Sequence, residues 1–155
     1  MAAGDFCRLI ETHRKMSRQT FLMRIIVVLP RLYASALDLP PIDSKGTYEE
    51  RRLTSKEWQI LFKSLGRKLG RYSRYWEIFN PYVRDDVVAS SLADDLADIY
   101  GDIKPGLQMY NQGPRGARNT AIWTWSVLLI YHWGHHATQA LRALQQLHSE
   151  WRLTE

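Results

Sequence analysis

Apolar residues along this chain recur at three- and four-residue spacings, the period of a helix that buries one face. Phe6, Leu9, Ile10 and His13 mark a first helix over Ala3 to Lys15. Ser17 is placed to cap a second, whose inner face carries Phe21, Ile25, Val28, Leu29 and Leu32. Pro30 predicts a kink in it, because proline lacks the N–H that the preceding turn needs. Leu39-Pro40-Pro41, followed by Asp43, Ser44 and Gly46, predicts a loop near 38–47.

A third helix, capped at Ser55, carries one apolar stripe of Trp58, Leu61, Phe62, Leu65, Leu69, Tyr72 and Trp76. Asn80-Pro81 stops it and opens a second loop near 80–89, since the residue before proline is pushed out of the helical region. A fourth helix starts at Ser90 or Ser91, where Ser91 and Asp94 resemble a capping box, and runs to Tyr110 with a kink at Pro105. After a Gly-Pro loop near 111–118, Asn119 or Thr120 caps a long fifth helix reaching Glu150. No run alternates with period two, so no strand is predicted. The expectation is an all-α, single-domain bundle of five or six helices over residues 1–155.

Composition agrees with a single domain: 155 residues, 45% hydrophobic and 24% charged, suffice for a core without disulfide or structural metal. The lone Cys7 excludes an internal disulfide framework and a multi-cysteine zinc site, and predicts a reducing, cytoplasmic setting. Arg24, Pro30, Arg31 and Asp38 interrupt the longest apolar stretch, Phe21 to Leu39, which argues against a membrane span. Met1 to Glu11, with Asp5 and Glu11, lacks the pattern of a secretory signal. Charge is polarised. Residues 1–84 carry sixteen Lys and Arg against eight Asp and Glu, whereas 85–155 carry five against eight. Such asymmetry suits self-association or a protein partner.

Four segments together resemble a catalogued bacterial family, domain of unknown function 5063. They are Leu29-Pro30-Arg31-Leu32-Tyr33 with Leu39-Pro40, Tyr75-Trp76, Asp94-Asp95-Leu96-Ala97-Asp98-Ile99-Tyr100 with Asp102, and His132-Trp133-Gly134-His135-His136-Ala137. The resemblance covers Phe6 to Leu147 and implies an all-helical bacterial cytoplasmic protein. It transfers no activity, substrate or ligand.

Two constellations carry chemistry. On the fourth helix, Asp95, Asp98 and Asp102 lie along one edge of the stripe formed by Leu92, Leu96, Ile99 and Ile103, with Asp94 on the solvent side. On the last helix, His132 and His136 are one turn apart, His135 falls between them, and Gln139 extends the row. A His pair at that spacing with a carboxylate from a neighbouring helix is a ligand set that zinc, iron or manganese accepts. The competing reading is a buried polar cluster in which the histidines hydrogen-bond the aspartates. Any pocket is expected at Trp125, Trp133, Tyr100 and Gln139, with His13 the one ligand available from elsewhere and Cys7 a buried small residue.

A third feature is the basic face of the third helix, Lys63, Arg67, Arg71 and Arg74, near Lys68 and Arg51-Arg52. It suits an anionic partner, but no motif for reading nucleic acid accompanies it. No phosphate-cradling glycine loop, nucleophile elbow or HExxH pair is present. Three functions therefore stand: a non-catalytic binding or interaction module with a His/Asp polar cluster, a metal-dependent and hydrolytic enzyme, and an anion-binding scaffold.

Overall fold

The computed structural model describes residues 1–43, 48 and 51–153, with side chains through 150. Among them are six α-helices and one β-hairpin: α1 (Ala2–Thr12), α2 (Arg18–Leu37), α3 (Ser55–Leu69), β1 (Arg74–Ile78), β2 (Val87–Ser91), α4 (Leu92–Gln112), α5 (Arg115–Tyr131) and α6 (Trp133–Leu153). Ser44 and Gly46 of the predicted first loop lie outside the described residues.

α4 is the central element, packing against α1, α3, α5 and α6. Leu92, Ala93, Leu96, Ala97, Ile99 and Ile103 are all essentially excluded from solvent. Small Ala93 and Ala97 let neighbouring backbones approach, while Phe6, Ile10, Phe21, Ile25, Leu65 and Leu69 fill the space around them. Ser17 caps α2 by accepting from the Thr20 backbone N–H, as the spacing predicts. α2 and α4 run on through Pro30 and Pro105. Among the described residues α2 is also, by length and composition, long and apolar enough to cross a membrane, despite Arg24 and Arg31. In this fold its Phe21, Leu22, Ile25, Leu29, Leu32 and Ala36 belong to the core.

Several boundaries differ from those the pattern predicts. The cap of α3 is Thr54, not Ser55, in a reciprocal capping box with Glu57. The helix ends at Leu69 because Gly70 takes φ 58, a conformation that side chains resist, so Tyr72 and Trp76 leave the stripe. Trp76 is 62% exposed and takes no part in an aromatic core. The segment expected to finish the helix forms β1 instead, paired antiparallel with β2 from Arg74 opposite Ser91 to Ile78 opposite Val87. The expected fifth helix is two. α5 begins at Arg115, directly after Gly113-Pro114, and ends at Tyr131; His132, with φ −146 and ψ −86, turns the chain into α6. Gly134 makes that turn feasible, since a Cβ there would lie 1.9 Å from the Leu129 carbonyl oxygen.

A candidate metal centre between α4 and α6

The break at His132 sets the geometry of the cluster. His132 sits at the corner and His136 on the first turn of α6, with ring centroids 5.0 Å apart and nearly perpendicular. Both face the acidic edge of α4. His132 Nδ1 pairs with Asp102 Oδ2 at 2.6 Å, and His136 Nδ1 with Asp95 Oδ1 at 2.9 Å. His136 Nε2 lies 3.3 Å from Asp98 Oδ2.

The carboxylates are themselves held. Trp58 Nε1 of α3 donates to Asp98 Oδ1 at 2.6 Å, and the Tyr75 hydroxyl of β1 donates to Asp95 Oδ2 at 2.7 Å. Asp95 is 1% exposed, so Tyr75 and His136 together satisfy a carboxylate that water barely reaches. The hairpin thus contributes a supporting residue to the site. The pattern predicts Tyr75 on the third helix at the polar edge of the aromatic core; it stands at the cluster's edge, but on β1.

One ligand atom from each of Asp98, His132 and His136 lies within 4.8 Å of the others. A second convergence joins Asp94, Asp95 and His136. It shares His136, and both Asp95 oxygens already accept hydrogen bonds. Asp94 therefore belongs with the cluster and not on the solvent side: it is half-buried, and a carboxylate oxygen lies within 4.8 Å of ligand atoms of Asp95 and His136.

Electrostatics follow from four carboxylates beside two rings. Burial opposes charge on His136, but Asp95, then Asp98 and Asp94, outweigh it and raise the ring's pKa above the usual histidine value. Burial raises Asp102, with His132 and Arg52 pulling it back. Burial and the neighbouring charge of Asp98 raise Asp94. The cluster is wet on one side, with the His132 side chain 45% exposed and Asp102 13% exposed. It is an edge site, not a sealed polar interior.

Other predicted site residues lie elsewhere. His135 is exposed and stacks on Phe79, 6.3 Å between ring centroids. The Tyr100 hydroxyl donates to Glu11, which also pairs with Lys104. The side chain of half-buried Gln139 makes no hydrogen bond among the described residues. Trp125 and Trp133 face the other way, lining an apolar cavity of about 310 Å³ with Leu32, Ala36, Leu39 and Ile103. His13 is committed to Ile10 and Ser64. Cys7 is buried, which pushes its thiol up to about 12 and removes it as a nucleophile. Of the predicted basic face, Lys63 and Arg67 stay on α3, whereas Arg71 stacks over Tyr72 and Arg74 over Trp76.

A family model described as domain of unknown function, DUF5063, matches residues 1–150. Among solved structures, protein BF1032 from Bacteroides fragilis is similar, with a TM-score of 0.83 and 26% identity over 94% of this chain and 87% of its own. No curated protein matches the chain.

Proposed function

The chain belongs to the DUF5063 family, and we propose that its function is to bind a divalent transition-metal ion, with Asp98, His132 and His136 as ligands. One observation carries this reading: each ligand is fixed through the atom that would not touch the metal. Asp102 holds His132 and Asp95 holds His136, both through Nδ1, and Trp58 holds Asp98 through Oδ1. That leaves two Nε2 atoms and Asp98 Oδ2 for a cation, and a carboxylate on the second nitrogen is the usual partner of a metal-bound histidine.

Distance supports the assignment. Two ligands on a tetrahedral ion with bonds of about 2.0–2.1 Å stand about 3.4 Å apart. His136 Nε2 and Asp98 Oδ2 are at 3.3 Å. A ligand atom of His132 lies within 4.8 Å of both, on a side chain that is 45% exposed. Two imidazoles and one carboxylate suit zinc, iron or manganese better than calcium or magnesium. Three protein ligands leave a position for water on the exposed side, and a bound metal would supply a polarised water for hydrolysis.

The test is the metal content of untagged protein purified without chelators, followed by zinc titration of the stripped protein. We expect about one equivalent in the wild type and none in His132→Ala/His136→Ala or in Asp98→Asn. Failure of folded, stripped wild type to take up zinc, iron(II) or manganese would leave the cluster as a polar tie between α4 and α6.

A further inference from the structure

Where the turn after α1 (His13–Lys15), the start of α2 and one face of α3 come together, the fold gathers basic residues that the sequence scatters over three segments. A cleft of about 530 Å³ opens there, lined by His13, Arg14, Arg18, Ser64, Arg67 and Lys68. Among the described residues, no carboxylate lines it. Among the described residues, the ion pairs involve Arg51, Lys104, His132 and His136, so none of the four cleft cations is neutralised.

Three of the four, Arg14, Arg18 and Lys68, are held in place. Arg14 Nε donates to Ser64 Oγ at 2.8 Å, and Arg18 Nε donates to the Lys68 carbonyl at 2.8 Å. Lys68 Nζ in turn donates to the Met16 carbonyl at 2.5 Å. Anchoring a guanidinium through Nε leaves its Nη1 and Nη2 fork, the geometry that pairs with two oxygens of one oxyanion. Gly70 makes room for one of these forks, since a Cβ there would lie 2.7 Å from Arg18 Nη2.

The floor of the cleft is a fixed hydrogen-bond chain. His13 is 4% exposed, and its Nδ1 lies 2.6 Å from the Ile10 carbonyl, which only accepts, so Nδ1 carries the hydrogen. Burial, with the charges of Arg14 and Lys68, holds the ring's pKa below the usual value. The neutral ring's Nε2 then accepts from the Ser64 hydroxyl at 2.8 Å, which turns a serine lone pair toward Arg14. Arg18 is also the first residue of the 20-residue α2, so that helix directs the positive end of its dipole to this region.

Uncompensated like charges on fixed supports favour an anion. A phosphoryl group, with three oxygens and up to two negative charges, matches two guanidinium forks and an ammonium better than a single carboxylate does. The cleft is open to solvent on its outer side, leaving room beyond the phosphate for an organic remainder. We propose that this cleft binds a phosphorylated small molecule, its phosphoryl group held by Arg14, Arg18, Arg67 and Lys68.

Calorimetric titration with inorganic phosphate and with glycerol 3-phosphate, ionic strength held constant with sodium chloride, tests this. Saturable binding is expected in the wild type. We expect at least tenfold weaker binding in Arg67→Gln, whose exposed side chain makes no described hydrogen bond, and weaker still in Arg14→Gln/Arg67→Gln. The charge-matched Lys63→Gln/Arg74→Gln, outside the cleft, should bind as the wild type does. Tighter binding of the ester than of phosphate identifies an organic phosphate as the ligand; equal affinity points to the phosphoryl group alone. Absence of saturable binding in folded wild type, or an equal loss in the charge-matched variant, overturns the proposal.

Discussion

Asp95→Asn separates the support of the candidate centre from its ligands. The Asp95 carboxylate is 1% exposed and accepts from the Tyr75 hydroxyl at 2.7 Å and from His136 Nδ1 at 2.9 Å. Asparagine keeps the shape but offers one oxygen and an NH2 group, so it accepts from one partner and turns a donor toward the other. Losing one buried charge-assisted bond costs roughly 1.5–3 kcal/mol. For a chain of 155 residues, at roughly 2–4 °C per kcal/mol, that lowers the melting temperature by about 3–12 °C. With the NH2 group turned to His136, the ring loses the acceptor that leaves its Nε2 free for a cation, and such changes weaken metal binding by about 10–100-fold. Scanning calorimetry of the metal-free protein and competition titration with zinc read the two effects separately. A variant that melts with the wild type and binds zinc as tightly would refute the role assigned to Asp95.

Two further perturbations follow from the same geometry. Gly134→Ala puts a Cβ against the Leu129 carbonyl at 1.9 Å, so α6 must shift away from α5. Chemical denaturation should show a loss toward the upper end of the about 1–3 kcal/mol typical of overpacking, and zinc uptake should fall, because His132 and His136 flank this residue; wild-type stability would contradict the observed corner. His13 has a lowered pKa in the fold, so its stabilising contribution is present above about pH 6.5, where the unfolded ring is neutral too. That contribution is lost as pH falls toward the folded value. Denaturation between pH 7.5 and 5 should therefore give a shallower loss of stability in His13→Gln than in the wild type, and parallel curves would exclude the effect.

The helical character and most of the site lie in the open in the sequence, because burial on α4 imposes a clean 3.6-residue period and places Asp95, Asp98 and Asp102 along its edge. The hairpin is hidden for a physical reason. In β1 the buried position is the polar Glu77 while Trp76 and Ile78 are exposed, so the alternation that signals a strand is inverted. The division of the last helix is signalled only by Gly134, which reads equally well as a close helix approach. That division decides which histidines cooperate: a continuous helix aligns His132, His135, His136 and Gln139 as a row, whereas the corner joins His132 to His136 and sends His135 to Phe79. The basic cleft is beyond reach of a helical stripe, since Arg14, Arg18 and Arg67 come together only where the turn between α1 and α2 meets α3.

X-ray absorption at the zinc edge of stripped protein reloaded with one equivalent tests the central claim most directly. The account predicts a first shell of nitrogen and oxygen at about 2.0–2.2 Å with multiple scattering from two imidazole rings. That signal should fall to one ring in His132→Ala. A shell of water and carboxylate oxygen alone, unchanged in that variant, would contradict it.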